Sequence, residues 1–166
     1  MSGEVSKAIY RFLDTDGDGT GTKNANGDYS SAADEFFFQP DQECDIHRLI
    51  FHMTDTTGIQ QEEYGNIGGA LTNGYNIVVR DDSDATILSL TDNIPIKTNG
   101  DIGRYCYDVE LKSWGAGNEA IQGRWTFTKA GAPLRLPQNY KFSITLNDTL
   151  TGLLEHYFMI QGYEID

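Results

Sequence analysis

The chain has 166 residues, an apolar share of 39%, 18 glycines and a formal net charge of −13. A domain of this size buries roughly 70% of the surface its unfolded chain exposes, so one core suffices without disulfides. The charge sets aside nucleic acid and anionic membranes as partners, since phosphate attraction depends on Lys and Arg, and no apolar run approaches the roughly 20 residues that span a bilayer.

Residues 1–7 lack the basic and apolar regions of a signal peptide, so the chain is expected to be made in a cytoplasm and to remain soluble. Residues 7–13 (Lys-Ala-Ile-Tyr-Arg-Phe-Leu) read as a first strand. Residues 14–33 are rich in Gly, Asn, Asp, Ser and Thr, with Tyr29 the one large apolar side chain. They read as a long surface loop, and loops of that length are usually functional or mobile.

This loop opens with Asp14-Thr15-Asp16-Gly17-Asp18-Gly19-Thr20. Carboxylates at relative positions one, three and five, followed by Gly at six, match the start of an oxygen-rich calcium loop. Asp14, Asp16 and Asp18 are therefore candidate calcium ligands, with Asn24, Asn26 or Asp28 available to add oxygens. The match stops there. Relative position twelve is Ala25 where a bidentate Glu belongs, position nine is Thr22, and a strand precedes the loop. A solvated acidic turn is the competing reading.

Residues 35–39 (Glu-Phe-Phe-Phe-Gln) form a short predicted strand, ended by Pro40, which has no ladder donor. In the strand expected at 44–53, Leu49, Phe51 and Met53 share one face while Ile46 and Ile50 occupy the other. A strand apolar on both faces is either central in a sandwich or covered by a neighbouring molecule. Ile46 and Ile50 are thus candidate oligomer-interface residues. His47 and His52, five apart on an unbroken strand, fall on opposite faces and cannot share a metal. His156 lies in another apolar strand. Residues 57–64 read as a short helical turn and 65–74 as a glycine-rich connection. Residues 75–80 and 86–90 flank Asp81-Asp82-Ser83-Asp84 and read as a hairpin; residues 94–97 are at most an edge strand.

The clearest fold signal follows. Residues 105–111 (Tyr-Cys-Tyr-Asp-Val-Glu-Leu), 125–128 (Trp-Thr-Phe-Thr) and 142–147 (Phe-Ser-Ile-Thr-Leu-Asn) alternate apolar and polar side chains. A period of two predicts half-buried antiparallel strands with the apolar set inward. Strands at 105–114, 121–129, 140–147 and 155–163 complete the set, the last two joined by a hairpin-length loop at 148–152. The expectation is an all-β antiparallel β-sandwich of about eight strands, jelly-roll-like, in a single domain over 1–166.

Cys44 and Cys106 stand far apart in predicted strands and are expected to be reduced and partly buried. Trp114, Trp125, Tyr140 and Tyr163 are candidate sugar-stacking aromatics. Trp125 alternates with Phe127 as a core residue would, and Trp114 at a strand end is the one expected at the surface. No Gly-x-Ser-x-Gly elbow, phosphate loop or His-Glu-x-x-His occurs. No catalytic residue is assigned, and the chain reads as a non-enzyme.

Several stretches together resemble small virion proteins of tailed bacteriophages, especially those of aquatic bacteria. They are residues 10–25 (Tyr-Arg-Phe-Leu-Asp-Thr-Asp-Gly-Asp-Gly-Thr-Gly-Thr-Lys-Asn-Ala), 70–74, 95–99, 115–119, 124–131 (Arg-Trp-Thr-Phe-Thr-Lys-Ala-Gly) and 153–163 (Leu-Leu-Glu-His-Tyr-Phe-Met-Ile-Gln-Gly-Tyr). The resemblance spans most of the chain. It implies a capsid decoration, or cement, protein on the virion surface: a β-sandwich, often trimeric, that binds the major capsid protein and strengthens the assembled head. It carries over no active-site residue. Two other readings stay open, a calcium-dependent carbohydrate-binding β-sandwich and a tail or neck structural component.

Overall fold

The computed structural model describes residues 7–55, 58–113 and 118–165. The alternating segments become ten strands among these residues: β1 (Lys7–Phe12), β2 (Asp34–Phe38), β3 (Cys44–Asp55), β4 (Ile77–Arg80), β5 (Thr86–Ser89), β6 (Asp108–Ser113), β7 (Glu119–Thr126), β8 (Leu134–Leu136), β9 (Lys141–Leu146) and β10 (Glu155–Glu164). They form two antiparallel sheets. The larger runs β1-β10-β3-β7-β6, with β8 pairing the start of β3, and the smaller runs β2-β9-β4-β5. The fold is the all-β sandwich that the alternation predicts. Its division into six and four strands differs from the eight-strand double Greek key of a jelly roll.

Where the sequence reading misses, the cause is local. β8 has three residues, too few to display a period. Residues 127–130 leave the strand for a 3-10 turn. Residues 58–64, expected as part of a helical turn, are irregular turns, while a helix forms instead as α1 (Asn99–Tyr105). A reciprocal cap starts it: the Thr98 hydroxyl accepts from Asp101 N–H, and the Asp101 carboxylate accepts from Thr98 N–H.

The core lies between the sheets. Phe51 and Phe158 of the larger sheet meet edge to face at 6.0 Å, and Phe142 and Ile144 of β9 close over them from the smaller sheet, all within 1% of full burial. Each such side chain contributes about 1.5–3 kcal/mol by leaving water.

Part of the double apolar pattern of β3, the position of Ile46, comes from a β-bulge. Gln161 faces Arg48 but the next residue, Gly162, faces Ile46, so His47 is the extra residue. The extra residue shifts the phase, placing Ile46 on the same inward face as Leu49, Phe51 and Met53. Gly162 makes this possible, because a Cβ there would run into the Asp45 carbonyl.

Single buried polar side chains fasten the long connections. Asp14 is fully buried, and its carboxylate accepts from Gly17 and Gly21 N–H. Asp148 accepts from the N–H groups of Thr72, Asn73 and Gly74. His156 is buried; its Nδ1 lies 2.7 Å from the Ala25 carbonyl and its Nε2 2.6 Å from the Tyr64 hydroxyl. A carbonyl only accepts, so Nδ1 carries the proton, Tyr64 donates to Nε2, and Tyr75 donates to Tyr64 at 2.8 Å.

Candidate functional site

The three candidate calcium ligands divide into one buried and two exposed side chains. Asp14 turns inward and spends its oxygens on backbone amides, whereas Asp16 and Asp18 are exposed and both accept from the Thr20 hydroxyl. The segment is therefore not wholly a solvated turn either, since its first carboxylate is a structural knot. Among the described residues no group of three or more His, Cys, Asp or Glu side chains could hold a metal.

Ile46 and Ile50, the candidate interface residues, are both buried within the single chain. Ile46 is 0% exposed within the core and Ile50 is 3% exposed on the outer face of the larger sheet. Ile50 sits in a row between Met159 and Arg124, and Met159 in turn pairs with Phe12. These long neighbours on the same face cover it without a second subunit.

The bulge also overturns the expected placement of the histidines. His47 packs edge-on against Tyr163 and His52 stacks on Tyr157, so both lie on the outer face of the larger sheet. His156 is a core residue whose protonation burial opposes, lowering its pKa to about 4. The thiols of Cys44 and Cys106 are free. Burial pushes them up to about 11 and about 12 respectively, which keeps them protonated and weakly nucleophilic at neutral pH. Of the aromatic candidates, Trp125 stacks on Tyr105 at 4.6 Å against the core, and Tyr140 packs there too. Trp114 lies outside the described residues. Tyr163 is 45% exposed.

Two surface features can engage a ligand or partner. The first is an open cleft of about 690 Å³ between β6, β7 and α1, walled by Ile59, Val109, Leu111 and Ile121 with Gln61 and Arg104 at its rim. It arises because β6 lies at the edge of the wider sheet. Tyr107, Val109 and Leu111 occupy one face as their alternation requires, but they stay 55%, 46% and 60% exposed. The half-buried strand expected there is instead an apolar lip.

The second is the outer face of the larger sheet, whose pairing sets Tyr10, Gln161, Arg48 and Thr126 side by side across four strands. Here a groove of about 430 Å³ runs between Tyr10 and Tyr163 over a floor of His47, Arg48, Gln161, Thr126 and Thr128. Of this group, sequence reasoning singled out Tyr163 as a ligand-stacking aromatic and His47 only as a metal candidate. The signal for the rest is cross-strand register, which a single strand does not carry. Comparison of the chain with protein-family models, curated proteins and solved structures found no match.

Proposed function

We propose that this chain is a structural protein of a tailed-phage virion, a capsid decoration protein that binds the assembled head and strengthens it. Its partner is then the major capsid protein and its location the capsid surface. The resemblance of six stretches to phage virion proteins supports the reading. The structural observation that carries it is the apolar lip of Tyr107, Val109 and Leu111 beside the cleft. Apolar side chains gathered on an edge and rimmed by charge are the chemistry of an attachment surface. Glu62 and Arg104 line the same cleft, while Asp108, Glu110 and Lys112, on the opposite face of β6, are paired with one another, with Lys129 or with Arg124.

The test is co-sedimentation of purified protein with expanded, empty heads of the phage that encodes it. Saturable binding to heads, weakened at least tenfold by Leu111→Asp with an unchanged circular dichroism spectrum, supports the proposal. Binding to tails alone would favour the tail or neck reading, and binding to neither would overturn the virion role. The resemblance also points to a homotrimer. A protein strictly monomeric by light scattering, in solution and when released from heads, would remove that part.

A further inference from the structure

We propose that the groove between Tyr10 and Tyr163 is a binding site for an acidic saccharide, one bearing carboxylate or sulfate groups. The argument begins with its walls. Tyr10 on β1 and Tyr163 on β10 are 48% and 45% exposed. They stand two residues apart along the ladder on one face, since Tyr10 pairs with Gln161 and Tyr163 with Ala8. Each is held: the Tyr10 hydroxyl donates to Met159 Sδ, and Tyr163 packs on the His47 ring at 5.3 Å. Fixed, half-exposed aromatic faces offer a sugar ring apolar contact at little cost in side-chain entropy.

The floor decides the charge of the ligand. Arg48 spends Nε on Thr126 Oγ1 at 3.1 Å and one Nη1 hydrogen on Gln161 Oε1 at 3.3 Å. A guanidinium has five N–H donors and no acceptor, so three remain for a ligand. That bond orients the Gln161 amide, whose NH₂ group is left to donate. His47 adds ring nitrogens. The lining thus joins the guanidinium donors to hydroxyl and amide groups that can both donate and accept, and it includes no carboxylate. Asp45, opposite Tyr163 in the ladder, is taken up by Arg135 in a two-pronged pair. In a chain of net charge −13, Arg48 is the one formally charged side chain of this lining. At 0.15 M salt the remote acidic groups are screened beyond about 8 Å, so the adjacent Arg48 governs. Guanidinium forks match carboxylate and sulfate oxygens, and a neutral sugar would leave those donors with weaker partners.

The proposal is independent of the capsid role, which rests on a different edge of the molecule. The test is titration of the full chain by calorimetry or NMR at 0.15 M salt with trigalacturonate, neutral galactotriose and inorganic sulfate. The expected result is saturable binding of trigalacturonate at least tenfold tighter than that of galactotriose or sulfate. Arg48→Gln should reduce trigalacturonate affinity to the galactotriose level. Tyr163→Ala should weaken it at least fivefold while Tyr163→Phe, which keeps the ring, retains it; circular dichroism checks each fold. Equal affinity for the acidic and neutral sugars, sulfate binding as tight as trigalacturonate, no saturable binding at all, or indifference to Arg48→Gln would each overturn the proposal.

Discussion

β6 and β9 carry the same alternating pattern and meet opposite fates. In β9 the apolar set, Phe142, Ile144 and Leu146, is 0–1% exposed, whereas Val109 and Leu111 of β6 are 46% and 60% exposed. β9 is flanked on both sides, by β2 and β4, and faces the wider sheet across the core. β6 lies at the edge of that wider sheet, where the cleft beside it is walled by α1 and residues 59–62. Alternation records which side chains share a face. What covers that face is set by the widths of two sheets, a property of no single strand.

The largest effects should come from the covered side of this contrast. Ile144→Ala is expected to cost about 2–5 kcal/mol by denaturant unfolding, the range for a large aliphatic side chain removed from a tight core. The same change at Leu111 should stay within about 0.5 kcal/mol. A loss at Leu111 comparable to that at Ile144 would mean that another subunit covers the lip in solution.

Acid should next weaken the covered side alone. His156 titrates at about 4 in the folded chain against 6.5 in a free one. Above pH 6.5 neither state is protonated and nothing is lost. As the pH falls through 6.5 the unfolded chain takes up a proton that the folded core refuses. Stability then drops by about 1.4 kcal/mol per pH unit, reaching about 3 kcal/mol in total near pH 4. Denaturant midpoints measured from pH 7 to 5 check the slope, and His156→Gln should flatten it even if the variant starts lower.

The loop that His156 clamps offers a finer comparison. Asp14→Ala leaves the Gly17 and Gly21 amides without their acceptor and should cost about 1–3 kcal/mol. Asp16→Asn and Asp18→Asn, exposed on the same loop, should fall within about 0.5 kcal/mol. The smallest expected effect is that of calcium. With Asp14 engaged by backbone amides, thermal midpoints in calcium and in chelator should coincide, and a rise with calcium would show by linkage that the folded chain binds it.

Much of this was legible in the residues themselves. The period of two in residues 142–147 gives β9 its inward set, Pro40 marks the end beyond β2, and the acidic turn at 81–84 joins β4 to β5. Thr98 and Asp101 formed a capping signature, but two glycines in the next five residues masked the helix. The inward position of Ile46, out of phase with its neighbours in the sequence pattern, is explained by a one-residue bulge. That bulge depends on a glycine more than a hundred residues away, and no local period announces it.

The sequence by itself determined the all-β class, the acidic surface, and which side chains of each alternating segment lie together, because these follow from the backbone geometry of a few adjacent residues. The tertiary structure alone decided that Ile46 and Ile50 are covered, that His47 and His52 share a face, that Asp14 is buried, and that Tyr10, Arg48, Gln161 and Tyr163 meet in one groove. Each of these depends on strand order and register, where residues distant in the chain come within contact and a shift of one position reverses every face.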